Sequence, residues 1–280
     1  CRSRNDGSYY KRIIKEMEVM NHPMAYVHPT AILGENVTIS PFASVYEDVE
    51  IGDGTWIGPN VTIMPGSRIG KNCKIYPGTV ISGEPQDLKY EGEKTLTYIG
   101  DNTTIRECVT VNKGTNALGY TKIGDNCLIM ATAHIAHDCV VGNNVVIVNA
   151  VGLAGHIEVG DYAFIGGYSA VHQFTKIGEH AFIAGATQIR KDVPPYVKAA
   201  KNPVAYAGVN AIGLRRKGFT SEEIYEIQGI YRILYQQKNN VSQAVEQILE
   251  KFPDSHYREI ILNFINTSDR GIMKGYSSGV

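Results

Sequence analysis

An aliphatic residue recurs at every sixth position through most of this 280-residue chain. Ile, Val or Leu fills each step of six from Leu33 to Ile81, and the same phase returns at Ile99 and runs without a break from Ile123 to Ile189. Neither an α-helix nor an alternating β-strand has this period. A hexapeptide repeat has it, and it predicts a parallel β-helix in which three hexads make one triangular coil.

Each hexad also has a second inward position, four residues after the aliphatic, which holds a small or β-branched residue such as Val37, Thr55 or Cys73. A large and a small inward residue suit a short strand followed by a tight corner. Gly often follows the aliphatic and Asp or Asn comes next, as in Gly52-Asp53. We expect these residues at the turn conformations that bulky residues resist.

The composition limits the class of protein. The net charge of -1 gives no overall attraction to nucleic acid or anionic lipid. The apolar runs are too short to span a bilayer. Of the five cysteines, Cys73, Cys127 and Cys139 take the small inward position. We therefore expect buried, reduced thiols and a cytoplasmic protein.

The repeat divides the chain into three parts. Residues 1–25 form an N-terminal extension in which residues 9–19 could form a short amphipathic helix. Residues 26–198 form the β-helix, interrupted by two polar excursions, 83–98 and 113–122, that are expected to be loops. Two prolines in VPPYV, residues 193–197, are expected to stop the ladder. Residues 199–280 form a helical domain, with a capping box at Thr220 and Glu223 and further helices near 241–252 and 255–267.

The histidines His134, His137, His156 and His172 fall inside the uninterrupted repeat. Residues eighteen apart stack on successive coils. His137 therefore stacks on Gly155, beside His156, and on Gln173, beside His172. This arithmetic predicts a polar site along one edge of the prism.

A neutral imidazole with a carboxylate nearby can act as a general base, removing a proton from a hydroxyl that attacks a carbonyl. Asp138 follows His137 directly, but neighbours in a strand point to opposite sides, so it is only a candidate orienting partner. The chain has no Gly-x-Ser-x-Gly element and no cysteine placed as a nucleophile. Direct attack on an activated acyl donor is favoured over an acyl-enzyme, and a zinc site of converging histidines is a second reading.

Six strings resemble those of the bacterial UDP-N-acetylglucosamine O-acyltransferase family: QDLKY (86–90), AHIAHDC (133–139), GLAGH (152–156), AVHQF (170–174), DVPPYV (192–197) and GLRRKGF (213–219). The resemblance runs from about Tyr26 to the last helix. It implies a homotrimer of left-handed parallel β-helices with active sites between neighbouring prisms. It also implies transfer of an (R)-3-hydroxyacyl group from acyl carrier protein to the 3-hydroxyl of UDP-N-acetylglucosamine, the first step of lipid A biosynthesis, with no cofactor and no metal.

The resemblance assigns roles to single residues. It implies that His137 is the general base, that the Gly155 N–H is the oxyanion donor, and that Gly185 sets the acyl-chain length. The residues implied to contact the sugar nucleotide or the donor are Asp87, Lys89, Asn112, His134, His156, His172, Gln173, Asn210, Arg216 and Lys217.

Three positions depart from the family pattern. Asn112 replaces a histidine but keeps hydrogen-bonding capacity. Lys217 replaces an arginine and loses its planar fork. Ala184 replaces a glycine beside Gly185 and leaves the acyl length open, as does the choice between the sugar nucleotide and its 3-amino analogue as acceptor.

Arg215, Arg216 and Lys217, with Arg190 and Lys191, are expected to form one basic patch on which an acidic acyl carrier protein docks. Two other classes of function stay open at this point. One is a zinc hydratase resembling the γ-class carbonic anhydrases. The other is a non-catalytic hexapeptide scaffold, which would not explain why polar residues of several coils converge on one edge.

Overall fold

The computed structural model describes residues 21–236 and 240–275. The short helix expected at residues 9–19 lies outside this range. Within it, the chain winds through short strands that alternate among three sheets, and the strands of successive coils pair in parallel. Each sheet is one face of a triangular prism.

Sheet I has nine strands: β1 Tyr26–Val27, β4 Ser44–Val45, β7 Thr62–Ile63, β10 Val80–Gly83, β13 Thr110–Asn112, β16 His134–Ile135, β19 Gly152–Leu153, β22 Ala170–Val171 and β25 Gln188–Ile189. Sheet II has eight: β2 Ile32–Leu33, β5 Glu50–Ile51, β8 Ser67–Ile69, β11 Leu96–Ile99, β14 Tyr120–Ile123, β17 Val140–Val141, β20 Glu158–Val159 and β23 Lys176–Ile177. Sheet III has eleven: β3 Thr38–Ile39, β6 Trp56–Ile57, β9 Lys74–Ile75, β12 Thr104–Ile105, β15 Leu128–Ile129, β18 Val146–Ile147, β21 Phe164–Ile165, β24 Phe182–Ile183, β26 Val197–Ala200, β27 Ala205–Val209 and β28 Lys274–Gly275.

The sixfold repeat sets both the register and the core. Partners such as Val45 and Ile63 are eighteen residues apart. The ladder continues across the first excursion, where Ser67 pairs with Thr97, and across the second, where Leu96 pairs with Tyr120. The excursions leave the strands at 84–95 and 113–119. The repeat aliphatics from Ile39 to Ile189 are buried. Each coil thus covers the apolar side chains of its neighbours, as expected for a solenoid.

The corners differ from the prediction. The residue with positive φ is the third after the aliphatic, and it is bulky in several coils, as at Phe42 and Tyr162. The glycine directly after the aliphatic is needed for close packing instead, since a Cβ on Gly52 would lie 2.7 Å from the backbone of Gly70. The next residue caps the coil before it: Asp53 Oδ1 accepts a hydrogen bond from the Glu35 N–H at 2.9 Å.

The prolines do not end the ladder, contrary to the prediction. Pro194 and Pro195 lie in a corner between strands, where their missing N–H groups remove no ladder hydrogen bond. β26 then pairs in parallel with β24, and β27 returns antiparallel to it. β26 therefore runs across the predicted boundary at residue 198.

Four helices follow in the described residues: α1 Ala211–Arg216, α2 Ser221–Gln236, α3 Val241–Lys251 and α4 His256–Asn266. The capping box predicted at Thr220 and Glu223 is present, and the last three helices are confirmed within one or two residues. The short α1 was not predicted.

The chain then returns to cover the last coil. The Asp192 N–H donates to Gly271 O and the Met273 N–H donates to Asp192 O. The buried Asp192 carboxylate accepts a hydrogen bond from Ser268 Oγ at 2.6 Å. Residues 268–275, which we call the C-terminal cap, therefore pair with backbone at the end of the solenoid and add β28 to sheet III.

Candidate active site

The candidate site lies on the prism edge where sheet I passes to sheet II. Three successive corners follow β16, β19 and β22, and they place His137 against Gly155 and Asp138 near His156. The ring centroids of His137 and His156 are 5.1 Å apart. The two rings meet edge to face, and the predicted placement of His137 over Gly155 and beside His156 is confirmed.

Asp138 is the direct partner of His137. It takes a left-handed conformation, with φ of 57°, so the expectation that the two side chains diverge as in a strand does not apply. Asp138 Oδ2 lies 2.8 Å from His137 Nδ1. Because an ionised carboxylate only accepts hydrogen bonds, Nδ1 carries the proton and Nε2 is the ring nitrogen with a free lone pair.

The second excursion encloses the Asp138 carboxylate, whose side chain is 0% exposed. Thr115 Oγ1 donates to Oδ2 at 2.6 Å, and the N–H groups of Thr115 and Leu118 donate to Oδ1. Burial alone would raise the pKa of Asp138. The hydrogen bonds from Thr115 and His137 outweigh burial and hold that pKa below its ordinary value, so Asp138 is ionised at neutral pH.

Two more histidines, His134 and His156, lie near His137 and Asp138, and their surroundings favour the neutral ring. Burial lowers the pKa of His134 and of His156, and His137 lowers both further. His134 Nδ1 lies 2.7 Å from Thr110 Oγ1. His156 stacks on the exposed ring of Phe174, with centroids 4.5 Å apart.

Gly155 packs directly against the His137 ring. A Cβ at this position would lie 2.6 Å from Cε1 and 2.8 Å from Nε2 of His137, so only glycine admits the ring at this distance. The Gly155 N–H donates no hydrogen bond within the described part of the chain. It is therefore available beside the basic nitrogen.

The first excursion carries Asp87 and Lys89. Asp87 Oδ1 accepts the Lys89 N–H at 3.1 Å, and the Asp87 charge raises the pKa of His156 against the larger effect of burial. Asn112 is 5% exposed, and its Nδ2 donates to Glu84 O at 2.9 Å, at the start of that excursion. Its Oδ1 is buried without a partner among the described residues.

The remaining predicted residues lie at three places. Gln173 and His172 are exposed on the same edge as His137, and the Gln173 carbonyl accepts a hydrogen bond from Arg270. Gly185 is exposed at the corner that follows sheet III, on a different edge. Asn210, Arg216 and Lys217 line a third region, described next.

A cleft of about 570 Å³ lies beside the corner between sheets II and III, with an aromatic wall and a cationic rim. Asn210 caps α1 by accepting from the Gly213 N–H, and Lys217 Nζ lies 4.8 Å above the Tyr162 ring. Arg190 and Lys191 instead line a separate cleft beside β25, the last strand of sheet I. The prediction of one basic patch was therefore wrong, because α1 places Arg216 on another edge of the prism.

The donor atoms of His137, Asp138 and His156 lie within 4.8 Å of one another and could hold a metal ion. His134 is not part of this group. Asp138 Oδ2 already accepts hydrogen bonds from Thr115 and His137, so the arrangement is that of an imidazole hydrogen-bonded to a buried carboxylate.

Thr115 is the site residue that sequence reasoning missed. It falls in an excursion without a repeat, so no periodicity indicates where its hydroxyl points.

Among the described residues, no helix is long and apolar enough to cross a bilayer.

Comparison with known proteins agrees with the resemblance seen in the sequence. Residues 192–273 match the second domain of UDP-N-acetylglucosamine O-acyltransferases, and residues 48–83 and 120–155 match bacterial transferase hexapeptide repeats. The acyl-[acyl-carrier-protein]–UDP-N-acetylglucosamine O-acyltransferase of Chlorobaculum parvum is 54% identical over 89% of this chain and 95% of its own length. The relative of the same name from a Sulfurihydrogenibium species is 55% identical, over 90% and 93%.

Solved structures give the same result. The UDP-N-acetylglucosamine acyltransferase of Bacteroides fragilis superposes with a TM-score of 0.88 at 44% identity, covering 90% of this chain and 99% of that one. The Francisella novicida enzyme superposes with a TM-score of 0.89 at 38% identity, covering 92% and 95%. The predicted left-handed parallel β-helix with C-terminal helices is confirmed, as is the prediction of an acyltransferase. This chain belongs to the UDP-N-acetylglucosamine O-acyltransferase family.

Proposed function

We propose that this acyltransferase moves an (R)-3-hydroxyacyl group from acyl carrier protein to the 3-hydroxyl of UDP-N-acetylglucosamine, the first step of lipid A biosynthesis. The observation that carries the proposal is the hydrogen bond from His137 Nδ1 to the buried Asp138 carboxylate, which leaves Nε2 free beside Gly155. The names of the relatives supply the carrier protein and the sugar nucleotide. Both substrates are water-soluble, which fits a cytoplasmic enzyme.

In the proposed mechanism, His137 Nε2 removes the proton of the sugar 3-hydroxyl as that oxygen attacks the thioester carbonyl carbon. The Asp138 carboxylate stabilises the imidazolium that forms. The Gly155 N–H donates to the carbonyl oxygen of the tetrahedral intermediate. When the C–S bond breaks, the imidazolium returns its proton to the departing sulfur. The products are the 3-O-acyl sugar nucleotide and the free carrier thiol, and no cofactor takes part.

Residues around the pair are proposed to hold the substrates. Asp87 and Lys89 lie in the first excursion, and the charge of Asp87 acts on His156. His134, His172 and Gln173 lie along the same edge as His137. We assign these five residues and His156 to the sugar nucleotide and the acyl chain. Asn112 is assigned to the same group through its hold on the start of that excursion.

The position of the cationic cleft supports a homotrimer with shared sites. Asn210, Arg216 and Lys217 lie on a different prism edge from His137, so they reach the same substrate only from a neighbouring chain. We propose that they bind the nucleotide phosphates and the donor. Mixing a His137→Ala chain with an Arg216→Ala chain tests this: heterotrimers should regain part of the activity, and a monomer in light scattering would exclude the shared site.

A metal-dependent hydratase is the rival for the same residues, because His137, Asp138 and His156 could hold a cation. The two functions make different predictions for purified protein. For an acyltransferase, metal analysis of the purified protein should find less than one metal ion per chain. Acyl transfer should then persist after exhaustive chelation. Loss of acyl transfer on chelation, restored by zinc, would favour the metal site.

The direct test is an assay with defined hydroxyacyl carrier proteins and either UDP-N-acetylglucosamine or its 3-amino analogue. We expect transfer to the 3-hydroxyl, with His137→Gln at least a hundredfold slower. His28→Gln is the matched control, because His28 lies at the other end of the prism. Absence of transfer by the wild-type chain with every donor length would refute the proposed function.

A further inference from the structure

We infer that Thr115 is a positioning residue for the His137–Asp138 pair: its hydroxyl fixes the carboxylate oxygen to which the base is hydrogen-bonded. The inference rests on the proposed function, since it assigns a role within that site. It goes beyond it because it adds a residue from the second excursion, which does not belong to the hexapeptide repeat.

The contacts of Thr115 converge on one side chain. Oγ1 donates to Asp138 Oδ2 at 2.6 Å, and the Thr115 N–H donates to Oδ1 at 3.0 Å. Thr115 is 8% exposed and Asp138 is 3% exposed, so water does not replace these hydrogen bonds readily. One residue thus holds both oxygens of the carboxylate.

The shared oxygen gives the hydroxyl its role. His137 Nδ1 is bonded to Oδ2, the same oxygen that accepts from Thr115 Oγ1. Oδ1 keeps two backbone donors, from Thr115 and Leu118, when the hydroxyl is removed. Without the hydroxyl, Oδ2 is held by His137 alone, and the carboxylate and the ring can turn together away from the position of attack.

A purely structural role for Thr115 is the alternative, because the same excursion is anchored elsewhere. Thr95 Oγ1 donates to Gly114 O at 2.6 Å, so its hydroxyl ties the two excursions together through a carbonyl oxygen and not through the Asp138 carboxylate. Both threonines are buried and both hydroxyls hold the segment 113–119. Thr95 therefore provides a matched control for loss of a buried threonine hydroxyl in this part of the chain.

The experiment compares Thr115→Val, Thr115→Ser and Thr95→Val in the full-length protein by steady-state acyl transfer and thermal unfolding. We expect Thr115→Val to lower kcat roughly 10- to 100-fold with KM for the sugar nucleotide changed less than threefold, as for loss of one hydrogen bond to a charged group. Thr115→Ser should restore kcat to within about threefold of wild type. Thr95→Val should lower Tm by a similar amount to Thr115→Val while retaining kcat.

A double substitution decides whether Thr115 acts through Asp138. In an Asp138→Asn background, adding Thr115→Val should change kcat less than twofold, because residues acting as one unit are not additive. An additive loss, or equal loss of kcat in Thr95→Val, would overturn the inference. If His137→Gln is inactive while Thr115→Val keeps its kcat, only the role of Thr115 fails. If His137→Gln is active, the proposed function and this inference fail together.

Discussion

Replacing Gly155 with alanine is expected to disable the site without disturbing the fold. The added Cβ would lie 2.6 Å from Cε1 of the His137 ring. Non-bonded carbon atoms make contact at about 3.5–4.0 Å, so the ring would have to withdraw by roughly 1 Å. The backbone of Gly155 gives no reason for strain, since it is not among the residues with positive φ.

The size of the effect follows from that displacement. Moving the ring by 1 Å lengthens or bends its 2.8 Å hydrogen bond to Asp138 and moves Nε2 from the hydroxyl it must deprotonate. Misplacement of a reacting group by about 1 Å can cost 10²-fold in rate, equivalent to about 2.7 kcal/mol of barrier. We therefore expect kcat to fall about a hundredfold in Gly155→Ala, with KM for the sugar nucleotide little changed.

The assay is steady-state transfer from a saturating hydroxyacyl carrier protein, with circular dichroism to monitor the fold. Gly152→Ala is the matched control: Gly152 lies on the same coil, and a Cβ there meets nothing within 4 Å. That variant should keep kcat within about threefold of wild type. A Gly155→Ala enzyme with more than a third of the wild-type kcat would show that the position of His137 does not depend on a glycine at residue 155.

Three further predictions concern other residues. His137→Ala should reduce turnover by ~10²–10⁴-fold with Tm maintained, and retention of more than a tenth of the wild-type turnover would rule out a general base. Gly185→Met should favour donors several carbons shorter, because burial of each methylene contributes only ~0.8 kcal/mol and cannot offset a steric block. An unchanged ratio of kcat/KM for long and short donors would refute the role of Gly185 in setting the acyl-chain length. Burial raises the pKa of three thiols, to about 11 at Cys73 and Cys127 and about 12 at Cys139. At pH 8 these thiols are protonated and should resist iodoacetamide in the native protein. The exposed Cys108 should be modified. Peptide mass spectrometry checks this, and alkylation of Cys139 before unfolding would contradict it.

The sequence alone was sufficient for the prism and for the proximity of two histidines. Between residues 123 and 189 the repeat has no insertion, so a separation of eighteen residues translates directly into contact between coils. That regularity is why His137 could be placed beside His156 without coordinates.

The geometry inside each corner could not be predicted the same way. A position in the hexad shows that a residue is near the corner, whereas the direction of its side chain depends on φ. Asp138 was expected to point away from His137, and its left-handed conformation turns it toward that ring instead. The hydrogen bond from Thr115 to Asp138 could not be predicted, because the contacts of single loop residues leave no periodic pattern in the sequence.

The C-terminal end showed a different limit. The strands β26, β27 and β28 join sheet III after the hexads have ended, and β28 pairs with a strand far from it in the sequence. No sixfold pattern indicates them, and the two prolines before β26 predict an end of the ladder instead. The short helix α1 has too few residues for an amphipathic pattern, although it determines which edge carries Arg216.

The C-terminal cap has a consequence for self-association. A solenoid of parallel coils ends in backbone N–H and C=O groups that could receive a further coil, including one from another molecule. In this chain the Asp192 backbone is paired with Gly271 and Met273, and its carboxylate is held by Ser268. The cap thus occupies backbone pairing positions at the C-terminal end of the prism that another molecule would otherwise need for end-to-end association.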